Sequence, residues 1–286
     1  MVIAVASGKG GTGKTTVAVS LALAAAGTSD SRPLLLDCDV EEPNSGLFLD
    51  IDYTFEKKTG VPVPVVDPDR CDFCGTCSEV CVWNAIAVAG RKVLVFRDLC
   101  HGCGSCTLAC PRGAITEVTH VTGLLEGGSD GLIDFARGTL NVGQAMAVPV
   151  ISALLENYLP VSDERTVVID SSPGTSCPMV EAVGSSDYVI LVTEPTPFGL
   201  HDLKAAVEVV VGQLGLPAGV VINRDGIGNS DVEHYCHRQG LPLLARIPMD
   251  RKIAEVLSDG TSLIQGLPEY RDMFIEILEK VKESER

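Results

Sequence analysis

The chain has 286 residues, 45% of them hydrophobic and 21% charged, enough to bury one large core with a small module beside it. Its formal net charge of −16 argues against binding nucleic acid, which needs clustered Lys and Arg, and against docking on an anionic membrane. No stretch approaches a membrane span, and Met1–Gly10 lacks the basic start of an export signal, so the expected compartment is the reducing cytoplasm.

Val2–Ala6 is a β-branched run expected to form a buried strand, and the Ala/Leu/Val-rich Thr15–Ala26 is of helical length. Pro33–Asp37 and Thr166–Asp170 are apolar runs ending in acid, and Tyr188–Thr193, Gly219–Ile222 and Leu243–Ile247 repeat the strand theme. Helical patterns at Leu200–Gln213, Val232–Gln239 and Glu269–Lys282 separate or follow them. Such alternation predicts a doubly wound α/β fold, its mainly parallel sheet covered on both faces. Between about Gly60 and His120 the rhythm breaks into Pro-rich and then Cys-rich segments, which predicts an inserted small α+β domain at 61–120 within a parent domain of 1–60 and 121–286.

Gly8-Lys9-Gly10-Gly11-Thr12-Gly13-Lys14-Thr15 matches the phosphate-binding loop pattern between a predicted strand and a predicted helix. Backbone N–H groups of Gly8, Gly10, Gly11, Thr12 and Gly13 are expected to surround a phosphate at the helix N-terminus, with Thr16 also against the nucleotide. Lys14 is expected to reach the β- and γ-phosphates of ATP, and the Thr15 hydroxyl to ligate Mg²⁺. The competing reading is a tight glycine turn without a ligand.

With its second lysine, the loop Lys9-Gly10-Gly11-Thr12-Gly13-Lys14-Thr15 resembles the deviant Walker A motif of the MinD/ParA/Mrp superfamily of P-loop ATPases. The resemblance implies that Lys9 crosses a homodimer interface to the partner's nucleotide when ATP is bound. It implies a first switch at Asp37-Cys38-Asp39, with Asp39 acting on the attacking water and Asp37 near the metal. A second switch at Asp170–Gly174 follows, with Asp170 holding Mg²⁺ and Gly174 donating to the γ-phosphate. It also implies that Asn223 and the loop around Pro248 contact adenine.

Eight of the eleven cysteines lie between Cys71 and Cys110; Cys38, Cys177 and Cys236 lie elsewhere. A dense cluster in a cytoplasmic chain reads as metal binding, not as a disulfide framework. Cys71, Cys74, Cys77 and Cys81 are spaced like Cys100, Cys103, Cys106 and Cys110, and the Ala85-Ile86 and Ala114-Ile115 pairs follow in register. These are paired bacterial ferredoxin motifs, in which the fourth cysteine of each run ligates the other cluster. One [4Fe–4S] cluster is thus expected on Cys71, Cys74, Cys77 and Cys110, the other on Cys100, Cys103, Cys106 and Cys81. Zinc is the competing metal. Val82 follows Cys81 where the motif usually has Pro, and His101 is expected to tune or shield a cluster. Cys177 sits where the nitrogenase iron protein carries a cluster ligand, which leaves a third, dimer-bridging cluster open.

The expected function is an ATPase whose nucleotide-dependent dimer gates electron transfer through two clusters to an unidentified redox partner. An iron–sulfur or metallocofactor assembly carrier, working on an assembly partner, is the alternative. A regulatory or positioning ATPase with a redox-sensing module is the third reading.

Overall fold

A computed structural model describes residues 1–27, 31–159 and 165–284. In β1 (Val2–Ala6) the side chains alternate: Ile3 and Val5 enter one apolar cluster, Ala4 and Ala6 the other, and all four are fully buried. A strand buried on both faces needs helices on both. The chain continues through α1 (Lys14–Ala25), β2 (Leu34–Asp37) and the long β3 (Asp52–Val66) into the cysteine-rich stretch. That stretch holds two short helices, α2 (Thr76–Glu79) and α3 (Ser105–Ala109), on either side of a small hairpin, β4 (Ile86–Ala89) and β5 (Lys92–Val95). Then come β6 (Ile115–Ser129), β7 (Asp134–Leu140), α4 (Val148–Tyr158), β8 (Val167–Asp170), α5 (Cys177–Val183) and β9 (Tyr188–Thr193). α6 (Pro197–Val207) runs on as π turns over Glu208–Gln213, and β10 (Ala218–Asp225), α7 (Asp231–Gln239), β11 (Leu243–Pro248), α8 (Arg251–Ser258), α9 (Leu263–Gly266) and α10 (Arg271–Ser284) complete the chain.

The strands form one sheet in the order β11-β10-β9-β1-β8-β2-β7-β6-β3. Pairing is parallel from β11 to β7 and antiparallel at β7-β6-β3. One face packs on α4–α7 through residues such as Leu154, Met179, Leu203 and Val232. The other packs on α1 and α8–α10 through Leu21, Ile253, Leu263 and Phe274. The fold is thus α/β with a large, mostly parallel sheet covered on both sides. Because the parallel strands share one direction, the segments after β1, β2, β8, β9, β10 and β11 all emerge at the same carboxyl edge, where open α/β sheets bind ligands. β10 runs past the expected end of its strand, so Asn223 lies inside β10 instead of after it. Among the described residues no helix is long and apolar enough to cross a membrane.

β3 and β6 pair from Asp52–Ser129 at one end to Val66–Ile115 at the other. β6 meets β7 only over Gly123–Ser129, so the far half of the ribbon leaves the sheet and carries the cysteines at its tip. A bulge between Thr59 and Gly60 falls where the ribbon departs, beside the expected limits at 60/61 and 120/121. Gly60 permits this crossing: a Cβ there would overlap the His120 carbonyl and crowd the Val121 Cα. Gly60→Ala is therefore expected to cost about 1–3 kcal/mol of stability, read as a lower midpoint in chemical denaturation.

Candidate functional site

The loop after β1 is held rigidly. Gly13 takes φ +95° before α1, and Gly11 takes φ +75°, a left-handed conformation that disfavours other residues. A Cβ on Gly8 would overlap the Asp202 carbonyl of α6. The Ser7 hydroxyl donates to the Lys9 carbonyl at 2.6 Å, and the Asn223 amide donates to the Thr12 carbonyl at 2.7 Å. α1 begins without a side-chain cap and without an acid in its first turn. Its free N–H groups and positive dipole end therefore face the loop, an arrangement suited to an anion.

Two cavities meet there. One of about 410 Å³ is lined by Gly10, Gly11, Lys14, Thr15, Asp39 and Asn44. The other, of about 400 Å³, is lined by Asn223, Arg224, Pro248, Met249, Ile253 and Leu257. Gly13 and Thr16 line both, so they form one crevice whose size suits a small ligand. A third cavity, of about 390 Å³ between Arg32, Asp134, Tyr158 and Arg165, shares no lining residue with this crevice.

Lys14 is almost fully buried, with Nζ 3.8 Å from Asp39 Oδ2 and 4.0 Å from Asp170 Oδ1. Asp37 accepts from the N–H of Asp39 at 3.1 Å and of Ser45 at 2.9 Å, and the Ser45 hydroxyl donates to Asp170 Oδ2 at 2.9 Å. Two carboxylates thus face one ammonium, and a third, Asp37, is coupled to them through Asp170 and Ser45. Burial, then the charge of Asp170, pushes Asp37 up to about 7; burial lifts Asp39 to about 6 against the pull of Lys14. Asp170 is raised by burial too, with Lys14 and hydrogen bonds from Thr15 and Ser45 opposing it. Asp170 Oδ1, Asn44 Oδ1 and Thr12 Oγ1 are buried without a hydrogen-bond partner. Surplus buried carboxylate and an unpaired hard oxygen beside the Thr15 hydroxyl fit a divalent cation such as Mg²⁺.

The remaining expected residues lie around this crevice. Gly174, at φ +90°, has its N–H committed to the Ser7 carbonyl at 3.0 Å. Pro248 ends β11 and lines the second cavity. Lys9 pairs with Glu194 at 3.4 Å, and Glu194 also pairs with Arg224. Cys177 is exposed at the start of α5, whereas Cys38 and Cys236 are buried. Sequence reasoning missed Glu194 and Ser45. Glu194 had a signal, since it follows an apolar strand as Asp37 and Asp170 end theirs; Ser45, in an irregular segment, had none.

The cysteine-rich tip repeats itself in three dimensions. At the offset that carries Cys71 onto Cys100, Phe73 (φ 61°) matches Gly102 (φ 65°), Gly75 matches Gly104, and Asn84 (φ 53°) matches Gly113 (φ 54°). Left-handed φ is strained for phenylalanine, so the backbone path is imposed by its surroundings. The Ala85 N–H donates to Cys81 Sγ and the Ala114 N–H to Cys110 Sγ, both at 3.3 Å. Cys71, Cys74, Cys77 and Cys110 line one cavity. Cys81 packs with Cys100 against Val61, Val63 and Ala85, and Cys106 packs with Ile86 and Ile115. His101 stacks on Trp83, ring centroids 3.6 Å apart. None of the eleven cysteines is joined in a disulfide. Among the described residues no three Cys, His, Asp or Glu side chains gather as a site for a single metal ion.

Residues 3–264 match the family of CobQ/CobB/MinD/ParA nucleotide-binding domains. The uncharacterized protein MJ0579 of Methanocaldococcus jannaschii is 29% identical over 96% of this chain and 93% of its own length. The cell division ATPase MinD of Pyrococcus furiosus shares the fold at a TM-score of 0.59 and 23% identity, covering 99% of this chain and 98% of that one. The septum site-determining protein MinD of Pyrococcus horikoshii, solved with Mg-ADP, does so at 0.58 and 22%, covering 98% and 95%.

The raised carboxylates carry a stability consequence. An acid that holds its proton more tightly folded than unfolded stabilises the fold below its unfolded value, near 4, and loses that contribution as pH rises through its folded value. The nucleotide-free chain is therefore expected to lose stability between about pH 4 and 7 through Asp37. Asp37→Asn should flatten that part of the profile and raise the thermal midpoint at pH 8, measured by calorimetry without magnesium or nucleotide.

Proposed function

The chain belongs to the CobQ/CobB/MinD/ParA nucleotide-binding family, and we propose that it is an ATPase that binds MgATP in the crevice and couples hydrolysis to an iron–sulfur module on the ribbon. The observation that carries the ATPase reading is Lys14, buried against Asp39 and Asp170 at the mouth of the phosphate loop. The Pyrococcus horikoshii protein that shares the fold was solved with Mg-ADP, which is in keeping with a nucleotide as ligand.

In this reading Lys14 and the loop N–H groups hold the β- and γ-phosphates, and the Thr15 hydroxyl and Asp170 face the metal. Magnesium supplies charge neutralisation to the phosphates when bound. Asp39 orients water against the γ-phosphorus. As the new O–P bond forms and the bond to ADP breaks, Asp39 accepts the water's proton, and its value near 6 leaves it largely ionised at neutral pH. Asn223 and Pro248 bound the adenine cavity. Asp39→Asn is expected to lower kcat by about 10²-fold or more while nucleotide binding persists. Lys14→Ala is expected to abolish binding; steady-state phosphate release and fluorescent-nucleotide titration read the two apart, and full turnover by Lys14→Ala would sink the reading.

The matched backbone of the two cysteine runs and the cavity shared by Cys71, Cys74, Cys77 and Cys110 support the ferredoxin reading for residues 61–120. A cubane spreads its thiolates around four irons, so its ligands stand further apart than those of one ion. Cys100, Cys103, Cys106 and Cys81 would hold the second cluster. Bound clusters supply one-electron exchange. Val61, Val63, Ile86 and Ile115 provide their apolar cover. ATP-driven pairing of two chains would gate electron delivery to a redox partner, with Ser45 as the residue that joins the crevice to the ribbon. Ser45 is bonded to Asp37 and Asp170, while the next residue, Gly46, packs on Tyr53 at the root of β3. Anaerobic preparation should give about eight iron atoms per chain, and Cys81→Ser and Cys110→Ser should each remove about half. Stoichiometric zinc in place of iron would overturn the module.

A further inference from the structure

Lys9 sits on a loop whose backbone is already fixed by Asp202 and by the Ser7 hydroxyl, so its freedom lies in its side chain. That side chain is one-third exposed and rests 3.4 Å from Glu194 Oε2. Glu194 is itself buried, just beyond β9, and its other oxygen accepts from Arg224 in a hydrogen-bonded ion pair. Arg224 stands at φ 53°, with its N–H on the Asn223 carbonyl oxygen of the side chain, and it lines the second cavity of the crevice. One buried carboxylate therefore ties the loop lysine to the wall of the adenine cavity.

The two cations are not equivalent. Arg224 alone neutralises Glu194 with hydrogen-bonded geometry, so removing Lys9 leaves no unpaired buried charge behind. Removing a lone partner from a buried carboxylate is costly, but removing a second one is not. Lys9 is thus held by an attraction strong enough to park it and weak enough to be released to a competing anion.

We propose that Glu194 is a positioning residue that parks Lys9 on its own subunit, so that Lys9 must exchange Glu194 for a nucleotide phosphate. The proposal rests on the ATPase reading above and adds to it the carboxylate that opposes nucleotide capture. Arg224 makes the arrangement sensitive to the adenine cavity: any shift of Arg224 on base binding changes how firmly Glu194 holds Lys9.

The test is titration of the full chain with magnesium and ATPγS, read as the half-saturating concentration, for wild type, Glu194→Gln, Lys9→Ala and the double variant. Glu194→Gln is expected to lower that concentration about fivefold in the wild-type background and to leave it unchanged with Lys9→Ala present, the non-additivity of directly interacting groups. Glu194→Asp, one methylene shorter and still charged, should shift it the same way by less, and it serves if the glutamine variant does not fold. An equal effect in both backgrounds, or no effect in either, overturns the role of Glu194. A wild-type chain that binds no nucleotide overturns the ATPase reading and this proposal together.

Discussion

One buried ammonium sits beside a cluster of three buried carboxylates at the carboxyl edge of the sheet, facing two of them, and much of the molecule is arranged around that imbalance. Lys14 cannot neutralise Asp37, Asp39 and Asp170 at once, so burial and mutual repulsion hold the acids above their ordinary range. Such a site is strained when it holds only protein charges. Protons or a divalent cation would relieve it. The glycines of the loop and the uncapped start of α1 supply the other half of the field, all of it positive.

The same imbalance reaches beyond the crevice through hydrogen bonds. Ser45 satisfies Asp37 with its N–H and Asp170 with its hydroxyl, so it reports on both acids. The segment it opens leads into β3, the edge strand that leaves the sheet with β6 and carries the cysteines. Glu194 plays the corresponding part on the opposite flank, joining Lys9 to Arg224. The crevice is therefore bounded by two polar bridges, each between segments distant in the chain, and each is satisfied in a way that a charged ligand would disturb.

The tip of the ribbon follows a different logic. Its short helices and turns bury few large side chains, and its apolar clusters are small. The backbone nevertheless takes left-handed conformations at matched positions in both runs, including at Phe73. Strain of that kind persists only where the surroundings over-determine it, and here it recurs at matched positions of both runs.

Several of these features were legible in the sequence because they are local. The loop Gly8–Thr15, the acid-terminated strands and the doubled cysteine spacing are each written within a few consecutive residues, and hydrophobic periodicity located the central strands. The bulge at Thr59–Gly60 was not legible, since it depends on pairing between residues far apart in the chain. Nor was the position of Asn223, because β10 is prolonged by its pairing with β11 beyond its apolar run. Only the tertiary structure decided that Ser45 bridges Asp37 and Asp170, and that Glu194 stands between Lys9 and Arg224. The order of strands in a parallel sheet is set by packing both faces under helices, and no local pattern encodes which strand ends become neighbours. By itself the sequence determined which chemical groups the protein carries; the shared carboxyl edge of its sheet decided which of them meet.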